Sequence, residues 1–207
     1  MTRQKKQIRD FYDLAFRSGR SAKLINLVTI YRIITFPLLI YLVLTEQYDI
    51  FKWLLGVSFF TDAIDGHLAR RFKVNSILGA KLDSIGDDLT VAAGIFGLAY
   101  GRWEFFKEHL PLIGSVLLIF LIQFVYSLVK YGKPTSFHTY LAKIAAVLQG
   151  LFLLSVFFFE DIQYWLFYPA MIVTGIELIE EIIMVAVLPK WKNDVKGLYW
   201  ALKSRRE

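Results

Sequence analysis

Residues 61–89 read TDAIDGHLARRFKVNSILGAKLDSIGDDL. The stretch holds five aspartates, Asp62, Asp65, Asp83, Asp87 and Asp88, yet long apolar runs flank it on both sides. Its centre is basic, with Arg70, Arg71 and Lys73. Asp62 and Asp65 are three residues apart, and Asp83 and Asp87 are four apart. At helical spacing each pair occupies one face, with one turn between its members. The pattern is that of a helical hairpin whose two arms turn carboxylates toward each other. Asp88 lies one residue beyond Asp87 and so points about 100° away around the helix, as a supporting residue or the partner of a nearby Lys or Arg.

Outward from this stretch the chain is apolar. Of 207 residues 56% are hydrophobic, mean hydropathy is +0.48, and there are 18 Phe, 11 Tyr and 5 Trp. Such a load places the chain in the membrane class before any motif is considered. Its length suits one membrane domain of a few helices. Cysteine is absent, which excludes disulfides, thiolate chemistry and Cys-based zinc sites. The net charge of +6 is matched to anionic headgroups rather than to nucleic acid.

A span needs about 20 mostly apolar residues. Six runs qualify, near 25–45, 50–69, 78–100, 109–131, 140–159 and 163–188. The runs are continuous rather than alternating, so strands are not expected. The expected fold is all-α: a bundle of six transmembrane helices preceded by an amphipathic surface helix. Residues 1–23 form the juxtamembrane segment, where Ile8, Phe11, Tyr12, Ala15 and Phe16 recur at helical spacing. Residues 24–189 form the membrane domain, and 190–207 a basic tail. Lys and Arg concentrate before span one, between spans two and three, between spans four and five, and after span six. By the positive-inside rule both termini and the 70–77 connection are cytoplasmic. The carboxylates then sit just below the cytoplasmic surface.

Carboxylates at mid-span cost about 2.5–3.5 kcal/mol each, less near the interface. Four like charges in one place repel, and a divalent cation removes that repulsion. Ion pairs with Arg70, Arg71, Lys73 and Lys81 would account for one or two of the carboxylates, not for four. An all-oxygen donor set selects a hard ion, Mg²⁺ or Mn²⁺. Two ions about 3.5–4 Å apart would suit phosphoryl chemistry. The glycines agree, since Gly66 and Gly79 permit close approach of a ligand or a helix. Arg70 offers a fork for phosphate. A divalent-cation transporter would also carry intramembrane carboxylates, but nearer mid-bilayer and on repeated, broken helices.

The spacing Asp62-x2-Asp65-Gly66-x2-Ala69-Arg70-x8-Gly79-x3-Asp83-x3-Asp87 resembles, without a departure, the signature of the CDP-alcohol phosphatidyltransferases. A weaker echo, Asn26-Leu27-Val28-Thr29-x2-Arg32-x4-Pro37, resembles the opening of the bacterial phosphatidylglycerophosphate synthase branch. The resemblance implies transfer of a phosphatidyl group from a CDP-linked lipid such as CDP-diacylglycerol to a small polar alcohol, releasing CMP. It implies that Asp62 and Asp83 bridge two metals, that Asp65 completes the first and Asp87 the second, and that Asp87 takes the proton of the attacking hydroxyl. Thr29, Gly66, Ala69, Arg70, Ser76 and Gly79 would contact the CDP-lipid. The resemblance further implies a homodimer in a bacterial inner membrane, with membrane lipids and no nucleic acid as partners.

The acceptor is less legible. Lys133, His138 and Lys143 fall at the cytoplasmic start of span five and, with Lys81 and Arg71, would form a phosphate pocket. That favours a phosphorylated acceptor, glycerol 3-phosphate first and inositol phosphate next, over inositol or serine. Lys143 is expected about one turn inside span five, where a lone ammonium is costly. Glu177, Glu180 and Glu181 lie in the cytoplasmic half of span six, where one of them would pair with Lys143 or Arg32, or contact the acceptor.

Overall fold

The computed structural model describes residues 20–72, 77–135, 137–192 and 195–206. All regular structure among them is helical: α1 (Arg20–Leu44), α2 (Tyr48–Phe72), α3 (Ile77–Gly101), α4 (Trp103–Glu108), α5 (Leu110–Tyr131), α6 (Tyr140–Phe158), α7 (Tyr164–Val187) and α8 (Leu198–Arg206). Each of the six apolar runs becomes one long helix with ends within a few residues of those expected. The expected surface helix before span one falls largely on residues 1–19, which lie outside the described residues.

The helix ends follow from local chemistry. α1 stops where Glu46 takes a left-handed φ of 56°, its N–H bonding Val43 O at 3.0 Å while Gln47 N–H reaches back to Leu42 O at 2.9 Å. That is the Schellman arrangement, which satisfies the last carbonyls of a helix. Gly132, at φ 69°, ends α5 with its N–H on Leu128 O. Thr139 starts α6, its Oγ1 accepting from the Ala142 N–H at 3.0 Å. Lys130 Nζ and the Tyr131 hydroxyl both donate to carbonyls at the C-terminal end of α7, at Val185 and at Ala186 or Leu188.

Short connections make successive long helices run in opposite directions. α1 packs on α3 and α2, α2 and α3 both meet α6, and α6 and α5 both pack on α7. Apolar residues fill one end of this bundle. Leu39, Leu42 and Val43 of α1 meet Phe51 and Leu55 of α2 and Ala93 of α3. Alongside, Leu98, Phe105, Ile113, Phe152, Val156 and Phe167 form a second cluster. The closeness is strict at Gly97, where a Cβ would lie 2.8 Å from the Phe51 ring and 2.9 Å from that of Phe157. Apart from Asp49 and Lys52 in the first turns of α2, the charged residues of α1, α2, α3 and α7 lie toward the other end.

α5 is turned inside out by the standards of a water-soluble helix. Gln123 and Ser127 are buried, while Leu118, Leu121, Ile122, Val125 and Val129 are exposed. α5 and α6 are long and apolar enough to cross a membrane. Prolines occur inside α1 (Pro37) and α7 (Pro169), which packed helices tolerate when neighbours satisfy the freed carbonyls.

Two elements depart from the sequence reading. Trp103–Glu108 forms its own short helix, because Phe105 is drawn into the aromatic cluster of His109, Phe152 and Phe167. Residues 190–207, read as a basic tail, contain α8. Its Ala201, together with Val195, is buried against Phe137, Met184, Val185 and Leu188.

Candidate functional site

The hairpin that opened the sequence reading is α2 followed by α3, and the two helices touch. Asp62 and Asp65 lie in the last three turns of α2, and Asp83 and Asp87 in the first three of α3. The backbone therefore brings both ends of the eight-position signature to one end of the bundle. Gly66, Ala69 and Arg70 lie on α2, Gly79 on α3 and Thr29 on α1. The side chains of these residues, and of Asp62, Asp65 and Asp83, lie outside the described residues, as does all of Ser76.

Asp87 is described, and its partner comes from another helix. Arg32 of α1 is 1% exposed, and its Nη1 donates to Asp87 Oδ1 in an ion pair. The Asp87 side chain keeps 36% of its surface exposed. Gly86 lies against the same side chain: a Cβ there would sit in ordinary contact, 3.5–3.6 Å from the Arg32 guanidinium and stem. Thr90 closes the turn by donating to Gly86 O at 2.9 Å. A buried guanidinium requires a paired anion, and Asp87 supplies it. A carboxylate has about four lone-pair sites, so the Arg32 bond is compatible with a cation at the same group. The sequence reading placed Arg32 in a motif or beside a span-six glutamate. The structure instead sets it on Asp87, and the one available hint was a cation inside an apolar helix.

Asp88 emerges on a different side of α3. Among the described residues it has no cationic partner, in contrast to the expected Lys or Arg. Its charge reaches Glu177 and Glu181 on α7. Among the described residues the backbones of α3 and α7 do not pack directly on each other.

The glutamates of α7 have neutral partners. Glu181 Oε2 accepts from Gln123 Nε2 at 2.6 Å and from Thr135 Oγ1 at 2.8 Å, and Gln123 also donates to Thr135 at 2.7 Å. Glu177 lies one turn earlier on the same helix, close enough for the two carboxyl groups to influence each other. Glu177 and Glu181 are each 8% exposed. Glu180 points elsewhere, its Oε1 accepting from the Leu198 N–H at 2.9 Å. The expected pairing of this cluster with Lys143 gives way to Gln123, Thr135 and the α8 backbone.

Lys133 and His138 share the loop between α5 and α6. Lys133 Nζ lies 3.6 Å from the centre of the Trp191 ring, and Trp191 Nε1 donates to Pro134 O at 2.9 Å. His138 adopts φ 54°. Lys143 is exposed on the first turn of α6, 5.2 Å from the Tyr140 ring centre. It lies about one turn inside the helix, the position expected of it, with its side chain exposed. Among the described side chains, no group of three or more His, Asp or Glu is arranged to hold a metal ion. The donors at issue are Asp62, Asp65, Asp83 and Asp87, of which only Asp87 has a described side chain. As a hard, partly exposed oxygen donor, it fits such an ion.

Comparison with known proteins identifies the family. A family model for CDP-alcohol phosphatidyltransferase matches residues 23–176. The chain belongs to the CDP-alcohol phosphatidyltransferase family. It is 31% identical over 111 residues to a cardiolipin synthase (CMP-forming)/mitochondrial hydrolase fusion protein of Schizosaccharomyces pombe, covering 54% of this chain and 18% of that protein. It is 43% identical over 68 residues to an archaetidylinositol phosphate synthase of Pyrococcus horikoshii, covering 31% of this chain and 35% of that one. The chain thus spans about a fifth to a third of these relatives' lengths. No solved structure is significantly matched.

Proposed function

We propose that this protein transfers a phosphatidyl group from a CDP-linked lipid, such as CDP-diacylglycerol, to an alcohol and releases CMP. The observation that carries the reading is the eight-position signature placed at the adjoining ends of α2 and α3, with Asp87 held by a buried Arg32. The acceptor hydroxyl attacks the β-phosphorus and forms the new P–O bond. The bond from that phosphorus to the bridging oxygen breaks, and CMP departs with the electron pair. Asp87 takes the hydroxyl proton. Arg32 fixes the direction of that carboxylate, and positioning of this kind supplies much of the catalysis in phosphoryl transfer.

Asp62, Asp65, Asp83 and Asp87 would hold two Mg²⁺ or Mn²⁺ ions, which when bound neutralise the pyrophosphate charge. Gly66, Ala69, Arg70 and Gly79, with Thr29 and Ser76, would line the CDP-lipid pocket. The six long helices would span the membrane, with the site and both termini at the cytoplasmic face and the acyl chains left in lipid. The inside-out burial of α5 supports this, since polar groups hide from hydrocarbon inside a bundle. A homodimer follows from the family likeness.

Glycerol 3-phosphate is the proposed acceptor, with Lys133, His138 and Lys143 near its phosphate. Inositol phosphate is the second candidate, favoured by the archaetidylinositol phosphate synthase relative. The test is CMP release by purified protein from CDP-diacylglycerol and Mg²⁺, with glycerol 3-phosphate, inositol phosphate, inositol and serine offered in turn. One acceptor should yield both CMP and a new lipid. If none of the four releases CMP, the transferase reading is wrong.

A further inference from the structure

The C-terminal segment is built for a surface rather than for solvent. After α7 ends at Val187 the chain turns back, and α8 begins beside Glu180, seven residues before that end. At 1.5 Å per residue this is a return of about 10 Å along α7. The Lys196 carbonyl also accepts from the Tyr140 N–H at 3.2 Å, so α8 starts level with the first turn of α6, a helix apolar enough to cross a membrane. Ala201 (0% exposed) and Val195 hold α8 against Phe137, Met184 and Val185. Gly197 is part of the fit: at φ 156° it passes Glu180 so closely that a Cβ would be 3.1 Å from Oε1.

The outward side of this anchored helix carries Tyr199 (69% exposed), Trp200 (43%) and Leu202 (44%). Lys192, Lys196 and Lys203 are exposed around them. Tyr199, Leu202 and Lys203 are three and four residues apart and so share one stripe. A water-facing helix gains nothing from three large apolar side chains. A second protein surface would be matched by fewer lysines, since interface cores exclude them. Aromatic rings and leucine flanked by lysines instead fit the boundary of a bilayer with anionic headgroups, at the depth where such helices lie.

Resting on the membrane reading above, we infer that α8 lies in the headgroup layer, with Tyr199, Trp200 and Leu202 in the acyl boundary and Lys192, Lys196 and Lys203 on anionic lipid phosphates. The helix thereby ties the lipid surface to Phe137, in the loop that carries Lys133 and His138.

The chain has no cysteine, so single cysteines report one place each. Leu202→Cys, Tyr199→Cys, Val125→Cys and Glu160→Cys are labelled with bimane in the full chain. The proteins are reconstituted in phosphatidylcholine vesicles with or without phosphatidylglycerol. Quenching is read with iodide in the water and with a shallow spin-labelled lipid. Val125 on the outer face of α5 reports the membrane reading itself, and Glu160 in the α6–α7 turn reports water. Expected at 202 and 199 are strong lipid quenching and iodide quenching several-fold weaker than at Glu160. Shielding should deepen with phosphatidylglycerol and fall when Lys192, Lys196 and Lys203 are changed to Gln. Iodide access at 202 and 199 equal to that at Glu160, with Val125 still quenched by lipid, would overturn the inference alone. Shielding from both quenchers would assign the face to a protein partner and overturn it equally. Shielding that ignores phosphatidylglycerol would overturn the anionic-lipid assignment. Loss of lipid quenching at Val125 would remove the membrane reading and this inference together.

Discussion

α3 carries two consecutive aspartates into opposite surroundings. On the α1 side Asp87 meets a buried guanidinium, and on the other side Asp88 faces the glutamates of α7. In the first region a full charge is balanced by a full charge. In the second, Glu181 is satisfied by an amide and a hydroxyl. The lesson is that placing a carboxylate in this bundle has two solutions. One keeps the group charged and fixes its direction. The other surrounds the group with neutral hydrogen-bond donors in place of a countercharge.

The largest expected effect breaks the first region. Asp87→Asn, Asp62→Asn or Asp83→Asn should each reduce CMP release to background while the protein still inserts and purifies as wild type. Retained turnover in Asp87→Asn would show that its pairing with Arg32 is structural only. Next is Arg32→Ala, which removes a charged partner of Asp87 and opens a cavity in a well-packed helix seam. Breaking a buried pair costs about 3–5 kcal/mol, and the partial exposure of Asp87 places this case near 3. Thermal unfolding in detergent should fall accordingly, with Arg32→Lys recovering part of the stability and less of the activity, because the fork is lost.

Smaller effects probe the second region. Glu181→Leu leaves Thr135 without its acceptor and Gln123 with Thr135 alone of its two, at about 1–3 kcal/mol, and should lower the melting temperature, with Glu181→Gln milder. Equal melting of Glu181→Leu and wild type would mean that water takes over both donors. Asp88→Asn should be nearly silent in turnover and neutral to slightly stabilising, since it removes a charge facing Glu177 and Glu181. A total loss of CMP release there would move Asp88 into the catalytic set and erase the contrast with Asp87.

Much of this was readable in the chain. Continuous apolar runs located the six long helices, because such helices need length and hydrophobicity more than any distant partner. The signature spacing located the ends of α2 and α3 on which the carboxylates lie. The one-residue step from Asp87 to Asp88 correctly implied different faces. The partners were not readable. Arg32 and Asp87 are 55 residues apart and Gln123 and Glu181 are 58 apart, and nothing local in either segment names the other. α8 was missed for a related reason. Leu198–Arg206 is short and basic, and its single buried side, Ala201, becomes a helix face only once Phe137 and Met184 are there to receive it.

Lys130 and Tyr131 have an effect beyond ending a helix. By holding the terminal carbonyls of α7, they fasten the tips of α5 and α7 into one strut. Neither tip can fray alone without stranding polar groups of the other. Any displacement of the α7 tip therefore has to carry α5 with it, and Thr135 and the loop that follows α5 travel along as passengers.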